Sequence, residues 1–188
     1  LNEKHPSFNN LIHQDFLLAN LKACFPSKSL VVVGNFPYNI SSQILFKCLA
    51  HRTEITGIVG MFQKEVAQRI CEKPGSRQYG ILSVLMQAFY EVEYGFTIKP
   101  GAFNPPPKVD SAVIHCKRKA KFHLDCDEDL FFRVVKMAFN QRRKILRNSL
   151  KSLMEEKDLP EALAMSRPEQ LDVEAFVLLT TIIERANE

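Results

Sequence analysis

Gly34-Asn35-Phe36-Pro37-Tyr38-Asn39 follows directly on the apolar run Leu30-Val-Val-Val33. Ligands of open α/β sheets bind outside the carboxyl ends of the strands, and a loop in this place is well sited for chemistry. Its residue types suit one demand in particular. An exocyclic amine such as adenine N6 is a weak nucleophile because its lone pair is delocalised into the ring. Two fixed acceptors on its N–H bonds would turn that lone pair toward an incoming methyl group, and no strong base is needed. Asn35 offers a side-chain oxygen as one acceptor. Pro37 holds Phe36 extended, which fixes the direction of the Phe36 carbonyl, the second acceptor. Tyr38 supplies a flat face for stacking a base. Asn, Pro and Gly are also ordinary turn residues, so a plain strand-to-helix turn accounts for the same four positions.

Other chemistry-bearing residues are less organised. His5, His13, His51, His115 and His123 show no HxxxH or HExxH spacing, so no metal site is expected from them. Cys24, Cys48, Cys71, Cys116 and Cys126 form no CxxC pair and are odd in number, which fits free thiols in a reducing cytoplasm. Asp125-Cys-Asp-Glu-Asp129 is acidic enough for a cation, but a helix N-terminus with a capping Asp explains it better. The seven glycines include no G-x-G pair and therefore no phosphate cradle of that type.

Charge is uneven along the chain. The total is +4, yet residues 117–154 carry +7 and residues 155–188 carry −6. No acidic residue lies between Leu130 and Met154, where Arg133, Lys136, Arg142, Arg143, Lys144, Arg147 and Lys151 fall. Such a field attracts a polyanion, nucleic acid first among them, unless the acidic tail neutralises it. With 46% hydrophobic and 24% charged residues in 188, the chain excludes a disordered tail, a coiled coil and a collagen-like fibre. No apolar run reaches the roughly 18 residues of a membrane span, and no basic-then-apolar leader is visible.

The elements that must position these residues alternate. Asn10-Leu-Ile-His13 and Leu30–Val33 are short apolar runs, the second β-branched as in a buried parallel strand. Ser41 or Ser42 is expected to cap a helix to about His51, with Ile44, Leu45, Cys48 and Leu49 on one face. A buried strand over Ile55–Phe62, helices over Lys64–Glu72 and Ile81–Tyr90, and strands over Glu91–Ile98 and Ser111–Cys116 follow. Val92, Tyr94, Phe96 and Ile98 should share one face, and the last two strands, joined by a proline-rich loop, should be antiparallel at one edge. Alternation of this kind means an α/β sheet with crossover helices. The pattern turns helical near Arg118, with Pro160 and Pro168 as punctuation and a last helix from about Val173 to Arg185. The expected division is residues 1–119 for the sheet and 120–188 for a small all-α domain.

Asn35-Phe-Pro-Tyr38 with Asn39-Ile-Ser-Ser resembles motif IV of the ribosomal RNA adenine dimethyltransferases. Gly101-Ala-Phe-Asn-Pro-Pro-Pro-Lys-Val-Asp-Ser-Ala-Val113 and Ala138-Phe-Asn-Gln-Arg-Arg-Lys-Ile-Leu-Arg-Asn-Ser-Leu150 match as well, as do Phe62-Gln-Lys-Glu-Val66 and Tyr79-Gly-Ile-Leu-Ser83. Together they resemble the KsgA type over essentially the whole chain, and the Gln-Arg-Arg-Lys helix disfavours the erythromycin-resistance methyltransferases. The resemblance implies a Rossmann-like, S-adenosylmethionine-dependent sheet and dimethylation of N6 on two adjacent adenosines near the 3′ end of small-subunit rRNA. It further implies an immature small ribosomal subunit as partner. By it Asn35, Phe36, Pro37, Tyr38 and Phe103 are the catalytic residues, Phe103 as second aromatic of the base pocket. Asp15 would accept from the cofactor's adenine amine, although alone it reads as a helix cap, and Asn35 would serve cofactor and target alike. Lys108, Arg142, Arg143, Lys144, Arg147 and Lys151 are the RNA-contacting candidates. Arg143, Arg147 and Lys151 recur at i+4 and should share one helix face.

In this family a G-x-G loop and an acidic residue closing the second strand precede the region matched by Leu1. The chain is therefore expected to enter the domain near its third strand, to hold S-adenosylmethionine poorly and to be inactive alone. In the family strand order 3-2-1-4-5-7-6 the Leu30–Val33 strand would then have an open edge, and self-association through it is expected. A non-catalytic RNA-binding or assembly factor on the same scaffold is the main alternative, and a DNA adenine methyltransferase a weaker one.

Overall fold

The computed structural model describes residues 11–27, 29–153 and 159–187. His5 and Asn10 lie outside them. Four strands make one mixed sheet: β1 (Leu30–Asn35), β2 (Ile55–Gln63), β3 (Tyr90–Ile98) and β4 (Ser111–Arg118), in the order β1-β2-β4-β3. β1 and β2 are parallel, joined by helix α2 (Ser41–Ala50), while β4 runs antiparallel to both β2 and β3. The antiparallel closing pair is thus as the proline-rich connection required, with β3 at the edge. A short helix α1 (Leu21–Cys24) precedes β1, and α3 (Lys64–Cys71) and α4 (Ile81–Phe89) lead from β2 to β3.

Residue chemistry explains most of this, and several departures are instructive. Ile44, Leu45, Cys48 and Leu49 of α2 are buried, as their spacing required. Its cap is different: Ser41 is the first helical residue, and its buried hydroxyl donates to the Tyr38 carbonyl at 3.1 Å rather than capping amides. β1 is parallel but not buried on both faces. Val31 and Val33, 59% and 70% exposed, share with Asn35 a face of β1 that is left open among the described residues. Leu11–His13, the described part of the first apolar run, forms no strand and is exposed, having no sheet edge beside it. In β3 the expected face breaks after Tyr94. A bulge at Gly95 shifts the register, so Tyr94 opposes Ile114 but Phe96 opposes Val113, and Phe96 comes out 59% exposed. A Cβ at Gly95 would stand 3.1 Å from the Val113 carbonyl, so the bulge is tight there for any side chain.

α4 is apolar all round and accordingly buried, with the sheet below it and later helices above. Those helices are α5 (Glu128–Asn140), α6 (Leu146–Ser149), α7 (Glu161–Ala164) and α8 (Val173–Ala186). Asp127 caps α5 by accepting from the Leu130 amide, with Glu128 and Asp129 in its first turn, which settles the acidic cluster as a helix start. The helix ends at Asn140, and Gln141–Lys144 are turns. Ile145 is extended (φ −69°, ψ 157°) before α6 begins, so Gln-Arg-Arg-Lys is not helical and Arg143, Arg147 and Lys151 do not share a helix face. The break lets Leu146 and Leu150 be fully buried. One contiguous core runs from Ala19 to Ile183.

Candidate active site

The end of β1 delivers Asn35 into an open cleft of about 320 Å³, lined by Asn35, Phe36, Pro37, Tyr38, Phe103, Pro105 and Pro107. All five residues expected to be catalytic therefore line one cavity, although 65 residues of chain separate Tyr38 from Phe103. Two segments build the cleft. One is the turn after β1, where Pro37 (φ −58°, ψ 128°) leads into a single 3₁₀ turn, Tyr38–Ile40. The other is the loop between β3 and β4, which starts in a 3₁₀ turn at Pro100–Ala102 and carries Phe103 and the prolines.

Asn35 is exposed, and its side chain is hydrogen-bonded to no described residue. The Phe36 carbonyl likewise accepts from no described residue, whereas the carbonyls of Pro37 and Tyr38 are engaged by the Ile40 amide and the Ser41 hydroxyl. Two adjacent acceptors are thus free, and the groups just after them are tied down. The Phe36 amide donates to the Met61 carbonyl at 3.3 Å, which anchors the turn to β2. Its ring is only 8% exposed and packs against Phe62, ring centroids 5.2 Å apart.

The two walls of the cleft are joined by polar contacts that the sequence reading did not anticipate. The Tyr38 hydroxyl shares a hydrogen bond of 2.5 Å with the Ser111 hydroxyl, at the first residue of β4 and fully buried. Next to it, the Asp110 carboxylate accepts from Lys99 at 2.8 Å and from Lys64 at 3.4 Å, and its carbonyl accepts from the Lys64 amide at 2.9 Å. The Lys99 hydrogen bond, with Lys64 behind it, holds the Asp110 carboxyl below its ordinary pKa. Lys64, Asp110 and Ser111 all fall inside the quoted motifs. Their signal was a polar residue next to an apolar strand, which names no partner.

Behind the turn lies a second, apolar groove of about 580 Å³ along β1, reached by Asp15, Phe16, Val31, Val33, Phe36, Pro37 and Ile40 among others. Phe36 and Pro37 line both cavities; Asn35 lines only the first. Asp15 is exposed, its Oδ1 accepting from the Leu17 amide at 2.8 Å, so it caps a turn and stands at the rim of this groove. Lys47 of α2 fixes the same segment by donating to the Leu17 and Ala19 carbonyls. One carboxylate beside an apolar wall fits the adenine end of a nucleoside-like cofactor.

The six RNA-contacting candidates fall into two groups. Lys108, Arg143, Lys144 and Lys151 are exposed and make no ion pair with a described residue. Arg142 is half-buried, donating to the Ser76 carbonyl at 3.2 Å beside Glu169, and Arg147 pairs with Glu161 at 2.6 Å. Those two tie the helical layer together. Among the described residues no group of three or more His, Cys, Asp or Glu side chains could hold a metal ion. None of the described helices is long and apolar enough to cross a membrane.

The sheet order and the Asn35–Tyr38 turn at the carboxyl end of β1 place an aromatic cleft where α/β enzymes bind their ligands. The chain belongs to the ribosomal RNA adenine dimethylase family, whose model matches residues 2–184. It is 54% identical to the ribosomal RNA small subunit methyltransferase A of Flavobacterium johnsoniae over 177 residues, 94% of this chain and 68% of that protein. Its identity to the Bacteroides thetaiotaomicron protein of the same name is 54% over 190 residues, 99% of this chain and 71% of that one. Among solved structures, a dimethyladenosine transferase from Plasmodium falciparum superposes with a TM-score of 0.80 at 25% identity, covering 98% of this chain and 76% of its own. The 23S rRNA methyltransferase ErmE superposes with a TM-score of 0.63, also at 25% identity, covering 100% of this chain and 76% of its own.

Proposed function

We propose that the protein dimethylates N6 of two adjacent adenosines near the 3′ end of small-subunit rRNA, on the immature small ribosomal subunit in the cytoplasm, and that the Asn35–Tyr38 turn and Phe103 hold the target base. The observation that carries this reading is the pair of free acceptors, Asn35 Oδ1 and the Phe36 carbonyl, in one cleft with two aromatic rings. S-adenosylmethionine, when bound, supplies an electrophilic methyl group on a sulfonium. Asp15 would hold its adenine amine. Everything else falls to this chain's residues. Tyr38 and Phe103 stack the adenine. Asn35 and Phe36 accept its two N–H bonds and so aim the nitrogen lone pair along the transfer direction. With the cofactor bound, its methyl would pass to the nitrogen and its electron pair stay on sulfur; the methylated nitrogen is acidic and gives its proton to solvent. One N–H remains after the first transfer, and one acceptor is enough to orient it for the second.

Lys108, Arg143, Lys144 and Lys151 supply the phosphate contacts, Lys108 next to the cleft and the others across the turn after α5. The outer edge of β1, unpaired among the described residues, with Val31 and Val33 exposed beside it, supports pairing between two copies of this 188-residue chain.

The test is tritiated methyl transfer to immature small subunits by the full-length protein and its Asn35→Ala variant. The variant should lose roughly 10²- to 10³-fold in kcat while still binding subunits. Undiminished transfer by Asn35→Ala would remove the catalytic assignment. Subunit binding with no transfer by the parent protein would instead mark an assembly factor.

A further inference from the structure

We infer that Gly34 and Gly60 are positioning residues: together they form a bare seat on the sheet for the Phe36 ring, and through it they fix the Phe36 carbonyl. The inference rests on the reading of that carbonyl as an amine acceptor. Gly34 and Gly60 are direct register partners in the parallel pair β1 and β2. A Cβ at Gly34 would meet the Phe36 ring at 2.8, 3.2 and 3.5 Å, its three nearest neighbours all being atoms of that ring. A Cβ at Gly60 would overlap the same ring and stand 2.5 Å from Phe62 Cε2. Real Cβ atoms essentially never come within 3.0 Å of such neighbours.

Neither glycine has a positive φ; among the described glycines only Gly75 does. Their role is therefore space, not backbone freedom. With both side chains absent, the Phe36 ring packs close against the strand backbone beside Phe62 and forms part of the cleft lining. Residue 36 is then held at three points: its amide on Met61, its ring on the glycine seat, and its ψ by Pro37. The carbonyl is the one group left unengaged. A seat of this kind acts through geometry, and a displacement of about 1 Å at an acceptor can cost on the order of 10²-fold in rate.

The test is Gly34→Ala in the full-length protein, with kcat, KM for immature subunits and the thermal midpoint measured. Gly34→Ala should lower kcat about 10- to 100-fold with KM within about threefold. Adding Phe36→Leu, whose shorter side chain leaves room for the methyl group, should recover at least about fivefold of kcat over Gly34→Ala alone, a non-additive result expected only of groups in contact. A kcat within twofold of the parent, a loss confined to KM, or a further loss on adding Phe36→Leu would each overturn the inference. Should Gly34→Ala fail to fold, the double variant decides: a folded, active protein supports the seat, and a second failure to fold overturns it. Asn35→Ala is assayed alongside. Full transfer by Asn35→Ala sinks the acceptor reading itself, whereas an inactive Asn35→Ala with Gly34→Ala at the parent rate sinks only the seat.

Discussion

Tyr38 owes its place in the cleft to a hydroxyl pair rather than to its ring alone. Ser111 is fully buried and gives the Tyr38 hydroxyl its only hydrogen bond to a described residue. Removing either partner leaves the other unsatisfied, at a cost of about 1 kcal/mol or somewhat more. Ser111→Ala and Tyr38→Phe are therefore expected to lower stability by similar amounts, and the double variant by no more than either alone. Urea unfolding of the three checks this, and strictly additive losses would show that the two hydroxyls act independently. At this scale the sequence was legible where chemistry depends on residue type: Asn for an acceptor, Pro for a fixed carbonyl, aromatics for a base. It was silent on Ser111, Asp110 and the paired glycines. Their meaning lies in what stands opposite them, and register between strands is not visible in a single chain.

Two elements carry consequences of their own. The loop from Lys99 to Asp110 is fastened to α3 by the carboxylate that Lys99 and Lys64 share. Because Asp110 titrates below its ordinary value in the folded protein, its contribution is present at neutral pH and disappears as the pH falls through that depressed value. Asp110→Asn should lower the thermal midpoint at pH 7, and the difference should shrink as the pH falls through the depressed Asp110 value; a difference that stays constant with falling pH would assign the fastening to something else. β1 is the other element. Its outer edge, unpaired among the described residues, predicts concentration-dependent self-association of the 188-residue chain, measured by light scattering, and a strictly monomeric mass up to millimolar protein would count against it. Strands and helices were legible from period and punctuation, and α2 to β4 lie within a residue or two of expectation. The break after α5 was not. Arg-Arg-Lys has good helix propensity, and only the burial of Leu146 and Leu150 and the pull of Arg142 toward Ser76 end the helix there.

Across the molecule, the sheet and the helical layer meet on α4, and a polar bridge supports the contact. Arg52, just after α2, pairs with Glu128 at the start of α5 while its guanidinium lies 4.6 Å from the centre of the Phe89 ring. Glu128 also accepts from the Leu124 amide. Glu128→Ala is expected to cost about 2 kcal/mol in urea unfolding, since it strands a half-desolvated guanidinium and an amide together; a change under about 0.5 kcal/mol would reduce the bridge to a surface pair. The same interior governs the thiols. Burial pushes Cys48 and Cys116 up to about 12, so neither reacts with a thiol reagent at pH 8 until the protein unfolds. Rapid labelling of either in native protein would contradict this packing. Overall architecture was the most legible level, because strand–helix alternation followed by helical periodicity leaves few arrangements open.

The glycine seat also makes the protein its own reporter. An aromatic ring this close shifts nearby protons through its ring current, so the α-protons of Gly34 and Gly60 should resonate away from the positions of ordinary glycines. Any event that lifts the Phe36 ring off this seat would return them toward normal positions. The state of the turn could then be followed in solution from two backbone resonances, with no label placed in the cleft and no residue changed.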